Sequence, residues 1–412
     1  MRGVRWLQRG FNSHRASQEG AGVNTTQQDQ LNVVTDTGAL EQACVELAKG
    51  EFIVLDTEFH RESTFWPKLC LIQAATADYD VLIDPLSDDI DLTPFLNLIA
   101  EPGRMKVFHA ARQDMEIFNR LMGTPPGPVF DSQIAAMACG LGDSISYENL
   151  VAQLLKARID KSSQFTDWTR RPLSAKQLHY ARGDVTHLRE IYVILKEKLE
   201  KLDRMRWIEE ETAILTDPAT FDTAPENAWK RMKLRNSAKP YLALIAAVSQ
   251  WREALAQELD KPRSRVLKDD AVQEIAVQKP RNEAAMDRLR AVPKGFSRST
   301  NGRSLIQVIN DALDDPDAYA PEYQRRSAPA HPPSGLPELL KVLLKQVSDE
   351  AGVATRLIAN AADVERIAAE SEPDVAAMRG WRREVFGEKA IALKSGKLAL
   401  AATPDGVKLI EL

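Results

Sequence analysis

The hydrophobic period of the chain changes several times along its length. Residues 52–59, 69–76 and 79–83 are short runs rich in Val, Ile, Leu and Phe, which predict three strands. Too few residues separate them for crossover helices, so an antiparallel meander is expected. Residues 106–108 predict another strand, and a helix through Met115, Ile117, Phe118 and Leu121 follows it. Beyond that, strands alternate with helical spacing, and the longest helical stretch spans 174–199. The expected fold over residues 31–215 is therefore α/β, built on a mixed sheet.

The pattern then turns helical. Residues 216–227, rich in Asp, Pro, Thr and Ala, read as a linker. Apolar spacing of three and four over 241–258, then 269–277 and 304–313, predicts an all-α domain over 228–318. A Pro-rich linker at 319–335 leads to a C-terminal helical module, 336–412, with helices at 336–351 and 353–359. Pro404-Asp405-Gly406 between apolar runs predicts a closing hairpin. Residues 1–30 carry Arg2, Arg5, Arg9 and Arg15 with no acid before Glu19 and no apolar period. They read as a disordered tail, with an organelle transit peptide as the alternative.

Composition narrows the chemistry. The 412 residues are 44% hydrophobic and 27% charged, which is globular usage. No apolar run reaches the roughly 18 residues a membrane span needs, so a soluble, cytoplasmic protein is expected. Cys44, Cys70 and Cys139 are widely spaced, and the six histidines form no ligand motif. Any metal site must therefore use oxygen donors and hard ions. The net charge of -5 argues against a general polyanion coat, yet residues 229–268 hold ten Lys and Arg against three acids, a local +7.

The candidate chemistry lies in acids. In Phe52-Ile53-Val54-Leu55-Asp56-Thr57-Glu58-Phe59 the strand period sends Asp56 and Glu58 to one face, where converging carboxylates repel and call for a cation. Asp114 falls in a first helical turn, by itself no more than a dipole partner. Asp131 reads as the cap of the next helix. Tyr180 and Asp184, four apart, share one helix face.

Taken together, these motifs resemble the ribonuclease D family of 3′-to-5′ exoribonucleases, in the tyrosine branch of the DEDD exonucleases. The resemblance rests on Asp56-Thr57-Glu58-Phe59 with Arg61, Pro67, Leu69, Leu71 and Gln73, on His109-Ala110 with Asp114, and on Tyr180 with Asp184-Val185 and Leu188. Asp160-Lys161, Thr166-Asp167-Trp168 and Arg171-Pro172-Leu173 extend it. Ala228-Trp229-Lys230-Arg231 opens a segment similar to the helical HRDC domain, and 336–412 is a candidate second copy.

The resemblance implies a ribonuclease H-like exonuclease domain followed by one or two HRDC-type domains. It implies two divalent cations, Mg²⁺ or Mn²⁺, with Asp56 bridging, Glu58 and Asp184 on the ion that activates water, and Asp114 outside or on the leaving-group ion. Tyr180 would orient that water. Phe59 and the backbone beside Thr57 are expected at the terminal nucleotide, and His109 is expected to orient nearby groups or contact phosphate, with a structural histidine as the alternative; Lys230, Arg231, Lys233 and Arg235 are expected on the RNA backbone. The expected substrate is RNA with a free 3′ end, transfer-RNA precursors above all, acted on by a monomer. A DNA 3′-to-5′ exonuclease and an inactive RNA-binding scaffold are the alternative readings.

Overall fold

The structure is a computed structural model that describes residues 33–323 and 332–412. The expected N-terminal tail lies outside the described residues, as does the middle of the Pro-rich linker.

A six-stranded sheet in the order β1-β4-β3-β2-β5-β6 organises the first half. Its strands are β1 (Val33–Val34), β2 (Phe52–His60), β3 (Lys68–Ala75), β4 (Asp80–Ile83), β5 (Met105–Phe108) and β6 (Val129–Asp131). β2, β3 and β4 form the antiparallel meander, while β5 runs parallel to β2 and β6 parallel to β5. The sheet is mixed, as the spacing predicts.

Alternation along β2 sorts its side chains between two cores. Ile53 and Leu55 pack with α1 (Thr37–Leu47), α2 (Thr93–Ala100) and α3 (Arg112–Met122) through Leu40, Phe95 and Phe118. Val54 faces the other way, toward α4 (Ser132–Ala138), α5 (Tyr147–Leu155) and the 27-residue α6 (Ala175–Lys201). Asp56 and Glu58 share that second face, because strand side chains repeat every two residues. α6 begins at a Ser174/Gln177 capping box and buries Ala181, Asp184, Val185 and Leu188 against the sheet.

After α7 (Met205–Thr216) the chain enters a helical unit. It consists of α8 (Lys239–Glu258), α9 (Arg263–Val266), α10 (Asp269–Gln278), α11 (Glu283–Met286), α12 (Thr300–Asp314) and α13 (Pro316–Tyr319). Leu244, Val248, Val272, Ile275, Leu305 and Ile309 form its core.

The C-terminal helices, starting with Leu336–Ala351, end in the hairpin of β7 (Leu398–Thr403) and β8 (Gly406–Glu411). Leu340, Leu343, Trp381 and Phe386 belong to the same hydrophobic cluster as Leu188 and Ile191 of α6. The Trp207 and Trp381 rings stack at 4.2 Å, and Ala354 donates its backbone N–H to the Met137 carbonyl at 2.9 Å. This segment is built into the flank of the nuclease unit.

Candidate active site

The carboxyl ends of the parallel strands β2 and β5 meet the antiparallel β3 beside α6, and the acids collect at that edge. Asp56, Glu58 and Asp184 each offer an oxygen, and these oxygens lie within 4.8 Å of one another. Asp114, in the first turn of α3, is buried and accepts a hydrogen bond from the Thr57 hydroxyl at 2.5 Å. The register of β2 on β3 shifts between Glu58 and Phe59, a bulge that re-aims the strand end beyond the acids.

Electrostatics mark this as a place for a cation. Burial first, then Asp184, Asp114 and Glu58, push the Asp56 carboxyl well above the usual range. Burial raises Glu58 to about 9, with Asp184 and Asp114 adding to it. Asp114 and Asp184 are each raised to about 7, chiefly by burial. Four carboxyl groups that resist ionisation at one place form a donor set suited to a hard divalent ion, which relieves both burial and repulsion.

Tyr180 hydrogen-bonds Asp184, and burial with the nearby carboxylates keeps its phenol protonated. Together with Asp56, His109, Tyr147, Asp184 and Leu188, Tyr180 lines a cavity of about 120 Å³. Trp168 packs against the Tyr180 ring at 6.2 Å. The loop that carries Trp168 is held by Arg171, which pairs with Asp84 at 2.5 Å and donates to the Cys70 carbonyl.

Sequence reasoning missed two supports of the site. The Tyr147 hydroxyl donates to the Asp184 carbonyl at 2.5 Å and packs its ring on His109, a contact no local pattern announces. Asp131 does cap α4, but its carboxylate also accepts from the Ala110 and Ala111 N–H groups at 3.0 and 2.9 Å. It thereby fixes the turn at Ala110, whose φ is +58°, just ahead of the helix that delivers Asp114.

The expected substrate contacts fare unevenly. Thr57 is buried, and its hydroxyl serves Asp114. Phe59 is half-buried past the bulge, opposite Leu69. His109 lines the cavity but is tied to the Ser132 hydroxyl at 2.9 Å and to the Ile145 carbonyl, and burial lowers its pKa.

The basic stretch needs correction. It is not one basic helix, since Lys230 and Arg231 end a 3₁₀ turn (Pro225–Arg231) and Lys233 and Arg235 lie between that turn and α8. Arg231 pairs at 2.7 Å with the fully buried Glu253 while remaining exposed itself. Arg263 joins the same carboxylate at 2.5 Å, and Arg252 is buried against Asp269. A buried carboxylate requires such partners. Lys230, Lys233 and Arg235 are exposed.

Arg158, Asp160, Lys176, His179 and His187 line a second cavity, of about 360 Å³, that shares Tyr180 with the acidic one.

The comparisons with known proteins agree with this geometry. A family model described as 3′-5′ exonuclease matches residues 31–200, and one described as HRDC domain matches 242–309. Ribonuclease D of Granulibacter bethesdensis is 44% identical over 379 residues, 92% of this chain and 96% of that protein. The chain belongs to the ribonuclease D family. Ribonuclease D of Nitrobacter hamburgensis is 45% identical, with 92% of this chain and 100% of that protein covered. The crystal structure of Escherichia coli RNase D, described as an exoribonuclease involved in structured RNA processing, superposes with a TM-score of 0.77 at 26% identity. That match covers 89% of this chain and 99% of the other. As a ribonuclease D-type enzyme the chain is a 3′-to-5′ exoribonuclease, and its exonuclease fold implies divalent metal use. None of the helices searched among the described residues is long and apolar enough to cross a membrane.

Proposed function

We propose that this chain trims the 3′ ends of transfer-RNA precursors and other structured RNAs, releasing nucleoside 5′-monophosphates stepwise with the help of two Mg²⁺ or Mn²⁺ ions. The observation that carries the reading is the convergence of Asp56, Glu58 and Asp184 from β2 and α6, with Asp114 buried alongside. Asp56, Glu58, Asp184 and Asp114 would hold the ions. Bound divalent ions supply charge relief on the phosphate and a water of lowered pKa.

The remaining work falls to the chain's own groups. Tyr180 stays protonated, so its hydroxyl orients the attacking water rather than taking its proton. Thr57 holds Asp114 in place, and Phe59 offers a ring on which any terminal base can stack. Asp131 and His109 set the turn and the wall around them. Arg158 and Lys176 in the cavity beside Tyr180, together with Lys230, Arg231, Lys233 and Arg235, give the RNA backbone a sequence-independent path past an acidic centre that would otherwise repel it. Residues 31–215 would form the nuclease, 228–318 the HRDC domain, and 336–412 a diverged second helical module. The reading carries with it a cytoplasmic monomer acting on free 3′ ends.

The test is a time course on 3′-labelled RNA with and without Mg²⁺. Wild type should release 5′-monophosphates only with the cation, Tyr180→Phe should slow the reaction while still binding metal, and Asp56→Ala should be inactive. Full activity of Asp56→Ala would overturn the assignment.

A further inference from the structure

Gln73 lies in the middle of β3 and is fully buried, yet neither its Nε2 nor its Oε1 has a hydrogen-bond partner. An amide sealed from water without partners is costly, and a Leu or Met would fill the same space without that cost. Its surroundings indicate what it is for. Across β2 its register partner is Asp56, and across β4 it is Leu82. Directly opposed residues in antiparallel strands point to the same face, with Cβ atoms about 5 Å apart. Gln73 therefore shares the face of Asp56 and Glu58, under the stretch of α6 that buries Ala181, Asp184 and Val185. Leu82, Ala181 and Val185 offer no polar side-chain atoms, and the Trp168 indole N–H, buried and unpartnered in the same cluster, can only donate, so the amide N–H is left with the carboxylates as acceptors, Asp56 foremost.

We propose that Gln73 is a positioning residue for the metal site: its amide N–H donates to the Asp56 carboxylate in the cation-loaded chain and orients that ligand. The inference rests on the reading of Asp56 as a metal ligand. A ligating carboxylate is ordinarily held by a hydrogen bond from behind, and losing that support weakens metal binding without removing a ligand. Gln73 is placed to give that support from the neighbouring strand.

The experiment compares wild type, Gln73→Met and Asp56→Asn in the full chain, by thermal melts without metal and by titration with Mn²⁺ followed by electron paramagnetic resonance. Gln73→Met keeps the volume and removes the orphaned amide. Its metal-free melting temperature should match or exceed wild type, while its Mn²⁺ affinity falls by about tenfold. A loss smaller than about threefold overturns the inference. So does a metal-free chain that is destabilised with its affinity intact, because the amide would then serve packing alone. If Gln73→Met fails to fold, Gln73→Asn, which keeps the amide and shortens its reach, takes its place, with Mn²⁺ affinity as the deciding readout. Asp56→Asn separates the two readings. Retained Mn²⁺ binding there refutes the metal-site assignment itself, whereas lost binding there with wild-type affinity in Gln73→Met refutes the Gln73 role alone.

Discussion

At the residue scale, the acids of the site hold protons that free carboxylic acids would have released. Glu58 is raised to about 9 and Asp114 and Asp184 to about 7, chiefly by burial. Between the ordinary carboxyl range of about 4 and these values, the folded chain binds more protons than the unfolded one. Its metal-free stability is therefore full at low pH and is lost as pH rises through 7 toward 9. A divalent cation removes that penalty by neutralising the same groups, and it does so best where they are ionised. The rise in melting temperature on adding Mg²⁺ should thus be larger at about pH 8.5 than at about pH 6. Paired thermal melts check this, and an equal rise at both values would contradict it.

At the element scale, α6 does two jobs with two stripes of one helix. Asp184 faces the sheet, while Lys176, His179, Gly183 and His187 turn with Tyr180 toward the neighbouring cavity that Arg158 also lines. Arg182 anchors the helix to β4 through Asp80 at 2.7 Å. If the RNA backbone passes here, the double substitution Arg158→Ala with Lys176→Ala should raise KM and leave kcat nearly unchanged. Each lost phosphate contact should also flatten the salt dependence by about one unit of log-log slope. Steady-state kinetics over a salt series decide the point, and an unchanged KM would exclude this path.

At the scale of the whole molecule, one side chain ties the helical unit to the nuclease. Asp260, just beyond α8 and at a φ of +45°, accepts the Phe65 and Trp66 backbone N–H groups, both at 3.0 Å. Arg263 covers the Phe65 ring at 4.4 Å and Arg120 the Trp66 ring at 3.7 Å. These contacts grip the loop joining β2 to β3, the strands that carry Asp56, Glu58 and Gln73. Asp260→Ala should loosen the helical unit and lower kcat/KM on long structured RNA by about fivefold, the worth of about 1 kcal/mol. A dinucleotide, which offers that unit far fewer phosphates, should be cut nearly as before. Equal losses on both substrates would show that the latch acts on the catalytic centre instead.

Strand period and helix spacing were enough to place Asp56, Glu58, Tyr180 and Asp184 on their faces and to order the meander, because side-chain direction within one element follows from local backbone geometry. The closing hairpin was legible for the same reason. Other features depend on residues far apart in sequence, and only packing decides those. Thr57 serves Asp114 across 57 positions, Tyr147 reaches Asp184 across 37, and Glu253 gathers Arg231 and Arg263. Local charge counting made residues 229–268 a uniform basic surface, whereas folding buries Arg252 and ties the half-exposed Arg231 and Arg263 to the buried Glu253, since a buried carboxylate or guanidinium must be neutralised where it lies. The sequence by itself determined which acids exist and which way each one points; the tertiary structure alone decided that they meet, and that an unpaired amide waits beside them.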